Sequence, residues 1–240
     1  LGKTPTVLAH LAAPGSEGPS LPSAPPAVVG NWAAEARRFT PGLSVVVHHG
    51  ANRAQGAAFK RAVRNNDVIL TTYGTAVRDV GLLEDHNWDK VVLDEAQAIK
   101  NPANETSQQL RRLTARSRIA LTGTPIENGL GDLWAILDFL NPGLLGSDEA
   151  FRRAFSIPIE RHHDPVARER LRRLTAPFLL RRTKTDPAIA PDLPDKIETK
   201  EWVGLSREQA TLYRATTKAL LEGIGKAQGQ SRRDKVLLLL

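Results

Sequence analysis

Cysteine is absent from the 240-residue sequence, which excludes a disulfide framework and any thiolate-ligated metal. A reducing compartment fits that absence without being required by it. Methionine is absent too, even at position 1, and the chain closes on Val236-Leu237-Leu238-Leu239-Leu240, which reads as a buried helix stopped partway. Both features predict a segment of a longer protein. No uninterrupted apolar stretch is longer than this closing run, which falls far short of the roughly 20 residues that span a bilayer. No basic-then-apolar leader opens the chain, so no secretion signal is expected. There is no internal repeat.

Hydrophobic residues make up 41% of the sequence and charged residues 25%, enough for a real core under a soluble surface. Disorder throughout is therefore excluded. Net charge is +7, and its distribution says more than its total. Between Phe151 and Lys184 stand ten Lys or Arg against three Asp or Glu, an excess as large as that of the whole chain. Such a block is the electrostatic footprint of a phosphate-backbone binder, or else a solvated arginine-rich helix. Composition alone does not separate the two.

The stretch Pro14 to Pro26 holds five prolines and two glycines and reads as loop or linker. Beyond it, short β-rich runs alternate with helical patterns. Candidate strands are Leu43 to Val47, Val68 to Thr72, Val91 to Leu93 and Ile119 to Leu121, apolar and branched as in buried parallel strands. Amphipathic segments near Gln55 to Arg64 and Asn104 to Ala115 lie between them. That alternation predicts an α/β fold with a parallel sheet flanked by helices. From Asn128 the pattern turns helical. Leu130, Leu133, Trp134, Leu137 and Leu140 share one periodicity, which Asn141-Pro142-Gly143 stops. Asp164-Pro165 resembles an N-cap with proline in the first turn. Ser206 with Gln209 fits a capping box, followed by Tyr213, Thr217, Leu220 and Ile224 on one helix face. The expected division is an α/β lobe over residues 1–145 and a mainly helical extension over 146–240.

Three strings carry chemistry. Gly2-Lys3-Thr4 has the residue types of a phosphate-binding loop: backbone N–H groups for phosphate, lysine for the β/γ oxygens, a hydroxyl for Mg²⁺. Three residues alone also occur by chance. Val91-Val92-Leu93-Asp94-Glu95-Ala96-Gln97 is an apolar strand delivering two carboxylates where open α/β sheets bind ligands. Asp94 suits a metal and Glu95 suits an attacking water, although a strand can simply end in an acidic turn. Thr122-Gly123-Thr124 follows another strand and sets two hydroxyls about a glycine, suited to sensing a γ-phosphate or bridging to nucleic acid. Elsewhere bland readings prevail: His48-His49 before Gly50 reads as a solvated turn, and Trp32 and Trp134 read as packing residues.

Taken in order, Gly2-Lys3-Thr4, Asp94-Glu95-Ala96-Gln97 with Ala98-Ile99-Lys100-Asn101, and Leu121-Thr122-Gly123-Thr124-Pro125-Ile126-Glu127-Asn128 resemble motifs I, II and III of the Swi/Snf helicase-like ATPases. Val28-Val29-Gly30-Asn31-Trp32 with Glu35, and Leu70-Thr71-Thr72-Tyr73, are similar to motifs Ia and Ib of that family. Leu133-Trp134, Leu137-Phe139-Leu140-Asn141-Pro142 and Phe178 to Lys184 extend the likeness over nearly the whole chain.

The resemblance implies a RecA-like lobe using ATP and Mg²⁺, with hydrolysis coupled to movement along double-stranded DNA in a cytoplasmic, DNA-associated protein. It implies that Gly2, Lys3 and Thr4 bind phosphate and metal, that Asp94 and Glu95 serve metal and water, and that Gln97 couples nucleotide state to Thr122, Gly123 and Thr124. Thr71 and Thr72 would touch the DNA backbone, and Arg181 and Arg182 would face DNA or a second lobe. The strand expected before Val28 is replaced by the Pro/Ser-rich stretch. A second RecA-like lobe, with its arginine, is expected outside this chain, and other DNA-associated proteins are further expected partners. The competing readings are a degenerate nucleotide- or DNA-binding scaffold without turnover and an unrelated phosphate-loop enzyme such as a kinase.

Overall fold

The computed structural model describes residues 2–182 and 197–225 of the chain. It divides into two compact units, Leu1–Ile189 and Ala190–Leu240. In the first, the order is α1 (Lys3–Leu11), β1 (Leu21–Ala24), α2 (Pro26–Phe39), β2 (Val45–His48), α3 (Gly56–Asn65), β3 (Val68–Thr72), α4 (Tyr73–Arg78), α5 (Val80–Glu84), β4 (Trp88–Asp94), a 3₁₀ turn (Ala96–Ile99), α6 (Glu105–Arg111) and β5 (Ala115–Leu121). Then come α7 (Leu130–Leu140), α8 (Asp148–Phe151), a short π-helix (Arg152–Ser156), α9 (Ile157–His162) and α10 (Pro165–Thr175).

The five strands form one parallel sheet in the order β2-β3-β1-β4-β5. Side chains alternate across it with period two. Ile69, Val91 and Leu93 pack on one face with Phe59, Leu83, Trp88, Ile99 and Phe139. Val68, Leu70 and Val92 pack on the other with Val7, Leu8, Leu11, Val29 and Trp32. Both faces are covered by helices, which is why these strands read as unbroken apolar runs.

The Pro/Ser-rich stretch is not all linker. Leu21-Pro22-Ser23-Ala24 is β1, the middle strand of the sheet, with all four residues buried. It pairs Leu21 with Val91, Pro22 with Val92 and Ser23 with Leu93 on one side, and Ser23 with Thr71 on the other. The missing strand before Val28 is therefore present. Pro22 brings no N–H to the ladder, but Leu21 and Ala24 are fully buried in opposite faces, so tertiary packing overrides the local signal.

β5 starts four residues before the expected Ile119, at Ala115, and α6 ends at Arg111. The polar start of β5 is tolerated because the Arg118 guanidinium donates to the carbonyls of Phe139 (2.8 Å) and Leu113 (3.0 Å) and lies over the Phe139 ring. α7 has two buried sides: Phe139 joins the sheet core, and Leu133, Trp134 and Leu137 pack with Leu145, Phe151, Phe155 and Leu171 of the helices that follow. Asp164 caps α10 through the N–H groups of Val166 (2.8 Å) and Ala167 (3.2 Å), with Pro165 in the first turn.

In the second unit, α11 (Arg207–Gly225) opens on the expected capping box, Ser206 and Gln209 exchanging side chain-to-backbone hydrogen bonds of 3.0 and 3.2 Å. The apolar close at Val236 to Leu240, and Thr183 and Lys184 of the basic block, lie outside the described residues. Among the described residues, no helix is long and apolar enough to cross a membrane.

Candidate active site

Parallel strands deliver their carboxyl ends to one edge, and the register makes a row there of His48, Thr71, Ser23, Leu93 and Ala120. Immediately beyond this row, β4 ends on Asp94, and Glu95 follows it at the start of the 3₁₀ turn. Glu95 sits in the left-handed region (φ 52°, ψ 58°), a conformation that costs a non-glycine residue on the order of 1 kcal/mol. That twist turns its side chain toward α1. There Lys3 Nζ donates to Glu95 Oε1 at 2.8 Å, joining residues 92 apart in sequence. Gly2, also left-handed (φ 62°), starts α1 with no side-chain cap of its own, so among the described residues no capping side chain satisfies the first N–H groups of the helix.

A chain of hydrogen bonds runs on from Glu95. Gln97 Nε2 donates to Glu95 Oε2 (3.1 Å), Thr122 Oγ1 donates to Gln97 Oε1 (3.3 Å), and the Thr124 N–H donates to Thr122 Oγ1 (3.1 Å). One connected path thus links Lys3, Glu95, Gln97, Thr122 and Thr124, with Gly123 exposed between the two threonines. The turn after β5 is moored by Lys100. Its ammonium lies 2.9 Å from Glu127 Oε2 and 3.2 Å from Asp132 Oδ2, and Asp132 also accepts the N–H groups of Glu127 and Asn128.

The Lys3 ammonium holds the Glu95 carboxyl below its ordinary range, partly offset by burial, with Gln97 adding to the same direction. Asp94 lies on the sheet face that Val92 shares with α1 and α2, and only 6% of its surface is exposed. Its Oδ2 accepts the Trp32 indole N–H at 2.8 Å, and its Oδ1 accepts the Glu95 N–H at 2.9 Å. Its carbonyl accepts the Tyr73 hydroxyl at 2.7 Å, and burial pushes the Tyr73 phenol well up, which keeps it a donor. Trp32 is thus both a packing residue and a polar one. Sequence reasoning missed the roles of Trp32, Tyr73 and Lys100, although all three fall inside strings that carried the resemblance.

Thr71 and Thr72, expected at the DNA backbone, lie inside. Thr71 is fully buried and donates to the His48 carbonyl (2.8 Å); Thr72 is 2% exposed, caps α4 and bonds the Thr75 hydroxyl at 2.9 Å. Both hydroxyls are consumed by holding the strand end. His48, expected in a solvated turn, is likewise buried: it lies against the Phe59 ring and reaches Asp79 Oδ2 at 2.8 Å, while Arg53 grips both Asp79 oxygens. Burial lowers the His48 pKa, so the neutral ring donates Nε2–H to the Asp79 carboxylate.

In the basic block, Arg168, Arg170, Arg172 and Arg173 are exposed on α10, but Arg172 and Arg173 both pair with Glu169, and Arg170 lies over the Phe155 ring. Arg181 is exposed. Arg182 turns back onto α1, donating to Thr6 Oγ1 at 2.6 Å. Arg182 therefore joins the helix that begins with Lys3, whereas Arg181 faces outward.

The donor set suits a hard cation shared with phosphates. Thr4 and Asp94 offer one hydroxyl and one carboxylate, and among the described residues each Asp94 oxygen accepts one hydrogen bond, which leaves a lone pair on both. Among the described residues no group of three His, Cys, Asp or Glu forms a protein-only cage. Mg²⁺ commonly takes few protein oxygens and fills its octahedron with phosphates and waters.

Comparison with known proteins agrees with this geometry. The SNF2-related domain matches residues 1–239. The chain is 41% identical over 244 residues to a putative ATP-dependent helicase/translocase, YwqA, of Bacillus subtilis, covering 100% of this chain and 26% of that protein. It is 32% identical over 230 residues to the ISWI chromatin-remodeling complex ATPase ISW2 of Saccharomyces cerevisiae, covering 93% of this chain and 20% of that one. Among solved structures, the Sulfolobus solfataricus SWI2/SNF2 ATPase core in complex with double-stranded DNA superposes with a TM-score of 0.70 at 42% identity, over 99% of this chain and 50% of that one. The sheet and its flanking helices have the RecA-like fold of that core. The chain thus spans about a quarter or less of these curated relatives and half of the solved core.

Proposed function

The chain belongs to the SNF2-related family, and from that premise we propose that it is the first nucleotide-binding lobe of an ATP-hydrolysing, double-stranded-DNA translocase. The observation that carries the reading is the 2.8 Å contact between Lys3 and Glu95 at the carboxyl edge of the sheet. A basic helix start and an acidic strand end, distant in sequence, meet where a triphosphate would lie between them.

With about a third of each side chain exposed, this ion pair is worth about 1 kcal/mol or less. A triphosphate competes for Lys3 at little cost, because it offers several charged oxygens in place of one carboxylate. Losing the Lys3 partner lets the Glu95 carboxyl rise toward its ordinary range. Its basicity then recovers once nucleotide is bound, when it is needed to orient or deprotonate water. Gln97 holds Glu95 from the far side and reports to Thr122. The start of α1 offers N–H groups to phosphate. Thr4 and Asp94 would hold Mg²⁺, which when bound neutralises phosphate charge and orients the γ-phosphate.

In this reading Arg181 and the α10 arginines contact the DNA backbone without reading sequence, and residues 146–240 lead toward a second lobe. An arginine from that lobe can contribute about 10³–10⁵ in rate, so the 240-residue chain alone is expected to turn over ATP negligibly. A scaffold without turnover drew its support from a lost core strand, and Leu21–Ala24 supply that strand. The test is ATP turnover by the complete protein with and without duplex DNA. Strong stimulation is expected, and nucleotide binding without DNA-dependent turnover would favour the scaffold.

A further inference from the structure

Asp94 is held at three points. The Trp32 indole at the second turn of α2 grips Oδ2, the Glu95 N–H grips Oδ1, and the Tyr73 phenol at the first residue of α4 grips the carbonyl. α2 and α4 follow β1 and β3, which are paired to each other, and β1 is paired to β4. Two adjacent strand ends thus send one donor each to the end of a third. The Trp32–Asp94 bond is buried, so no water replaces the indole if it is lost.

The left-handed Glu95 backbone also needs support. Its carboxylate can face Lys3 only while the Asp94–Glu95 peptide keeps its orientation, and Tyr73 is the side chain bonded to that peptide's carbonyl. Without Tyr73, relaxation of Glu95 to a common backbone region would swing both carboxylates.

We propose that Trp32 and Tyr73 are positioning residues that brace the Asp94–Glu95 turn for the metal–nucleotide complex, Trp32 aiming the Asp94 carboxylate and Tyr73 fixing the Glu95 backbone. This rests on the nucleotide-binding reading above. Each residue acts through Asp94, so their loss changes the Mg²⁺ requirement of nucleotide binding more than it changes folding.

The complete protein, as wild type and as Trp32→Phe, Tyr73→Phe and Trp88→Phe, is titrated with ADP at stepped Mg²⁺ concentrations, and thermal melts are recorded without nucleotide. Trp88 is the control: it is equally buried at the opposite end of β4, and its indole donates to the Leu83 carbonyl at 2.9 Å. A hydrogen bond to a charged group is worth roughly tenfold or more, and one to a neutral group about threefold to tenfold. The Mg²⁺ needed for half-maximal ADP binding is expected to rise about tenfold in Trp32→Phe and about fivefold in Tyr73→Phe. In Trp88→Phe it should stay within about twofold even though the melt drops. Unchanged Mg²⁺ dependence in the first two variants, or an equal shift in the third, overturns the proposal. Should Trp32→Phe fail to fold, the near-isosteric Tyr73→Phe decides alone. Wild type that binds Mg·ADP but shows no DNA-stimulated turnover defeats the motor reading while the brace is still judged by the same series. Wild type that binds no Mg·ADP defeats both.

Discussion

Replacing Ser23 with alanine should stabilise the protein by about 1 kcal/mol, against the usual direction of core substitutions. Ser23 lies in the middle strand, paired on both sides, with 0% of its surface exposed and, among the described residues, no hydrogen-bond partner for its hydroxyl. An unsatisfied buried hydroxyl costs roughly 1–3 kcal/mol of desolvation. Removing one oxygen leaves a void of about atomic size, worth a few tenths of a kcal/mol in the opposite direction. The balance favours alanine by about 1 kcal/mol, or roughly 2–4 °C in Tm for a unit of this size. Urea unfolding followed by circular dichroism would show a higher midpoint at unchanged slope. If Pro14 to Pro26 were a solvated linker, the substitution would fall within about 0.5 kcal/mol of zero. A neutral result, or a loss of stability, would refute the placement of β1.

Other expectations follow from the two polar networks. Arg53 holds the Asp79 carboxyl at about 2, against an ordinary 3.8, with His48 assisting. Because the folded value is depressed, the stabilisation is complete above pH 4 and lost as pH falls from there toward 2. Asp79→Asn should therefore remove on the order of 2 kcal/mol at pH 7 and flatten that acid limb, read from urea midpoints at pH 7 and pH 3. His48, lowered by burial, adds a milder loss that begins as pH drops below 6.5. Gln97→Ala cuts the path from Glu95 to Thr122 and should slow DNA-stimulated hydrolysis about tenfold while ADP affinity stays within about threefold. Arg181→Glu should weaken duplex binding and reduce the log–log salt slope by about 1; an unchanged slope would remove Arg181 from the DNA contact.

The parts of the site legible in the sequence were those whose chemistry is local. Asp94 and Glu95 terminate an apolar strand, and Gly2-Lys3-Thr4 opens a helix with Val7, Leu8 and Leu11 on its buried side. β3 was legible because Val68 to Thr72 is branched and wholly buried. β1 was not, since proline and serine are poor strand residues and only the neighbours of Leu21 and Ala24 make the strand. The start of β5 was hidden because Arg116 and Arg118 look like helix surface until Asp89 and the Phe139 carbonyl accept them. His48 was misread for the same reason: its acceptor, Asp79, is 31 residues away. Thr71 and Thr72 carry hydroxyls suited to a phosphate backbone, but residue type does not reveal that β2 and α4 consume them.

We propose that Lys3 and the Asp94–Glu95 pair act on one triphosphate. Glu95→Gln in the complete protein, with duplex DNA present, tests it most directly, because the amide keeps the shape but cannot take a proton. ATP binding should persist near wild-type affinity while single-turnover hydrolysis falls about 10²–10⁴-fold. Hydrolysis within about twofold of wild type would contradict a catalytic site at this sheet edge.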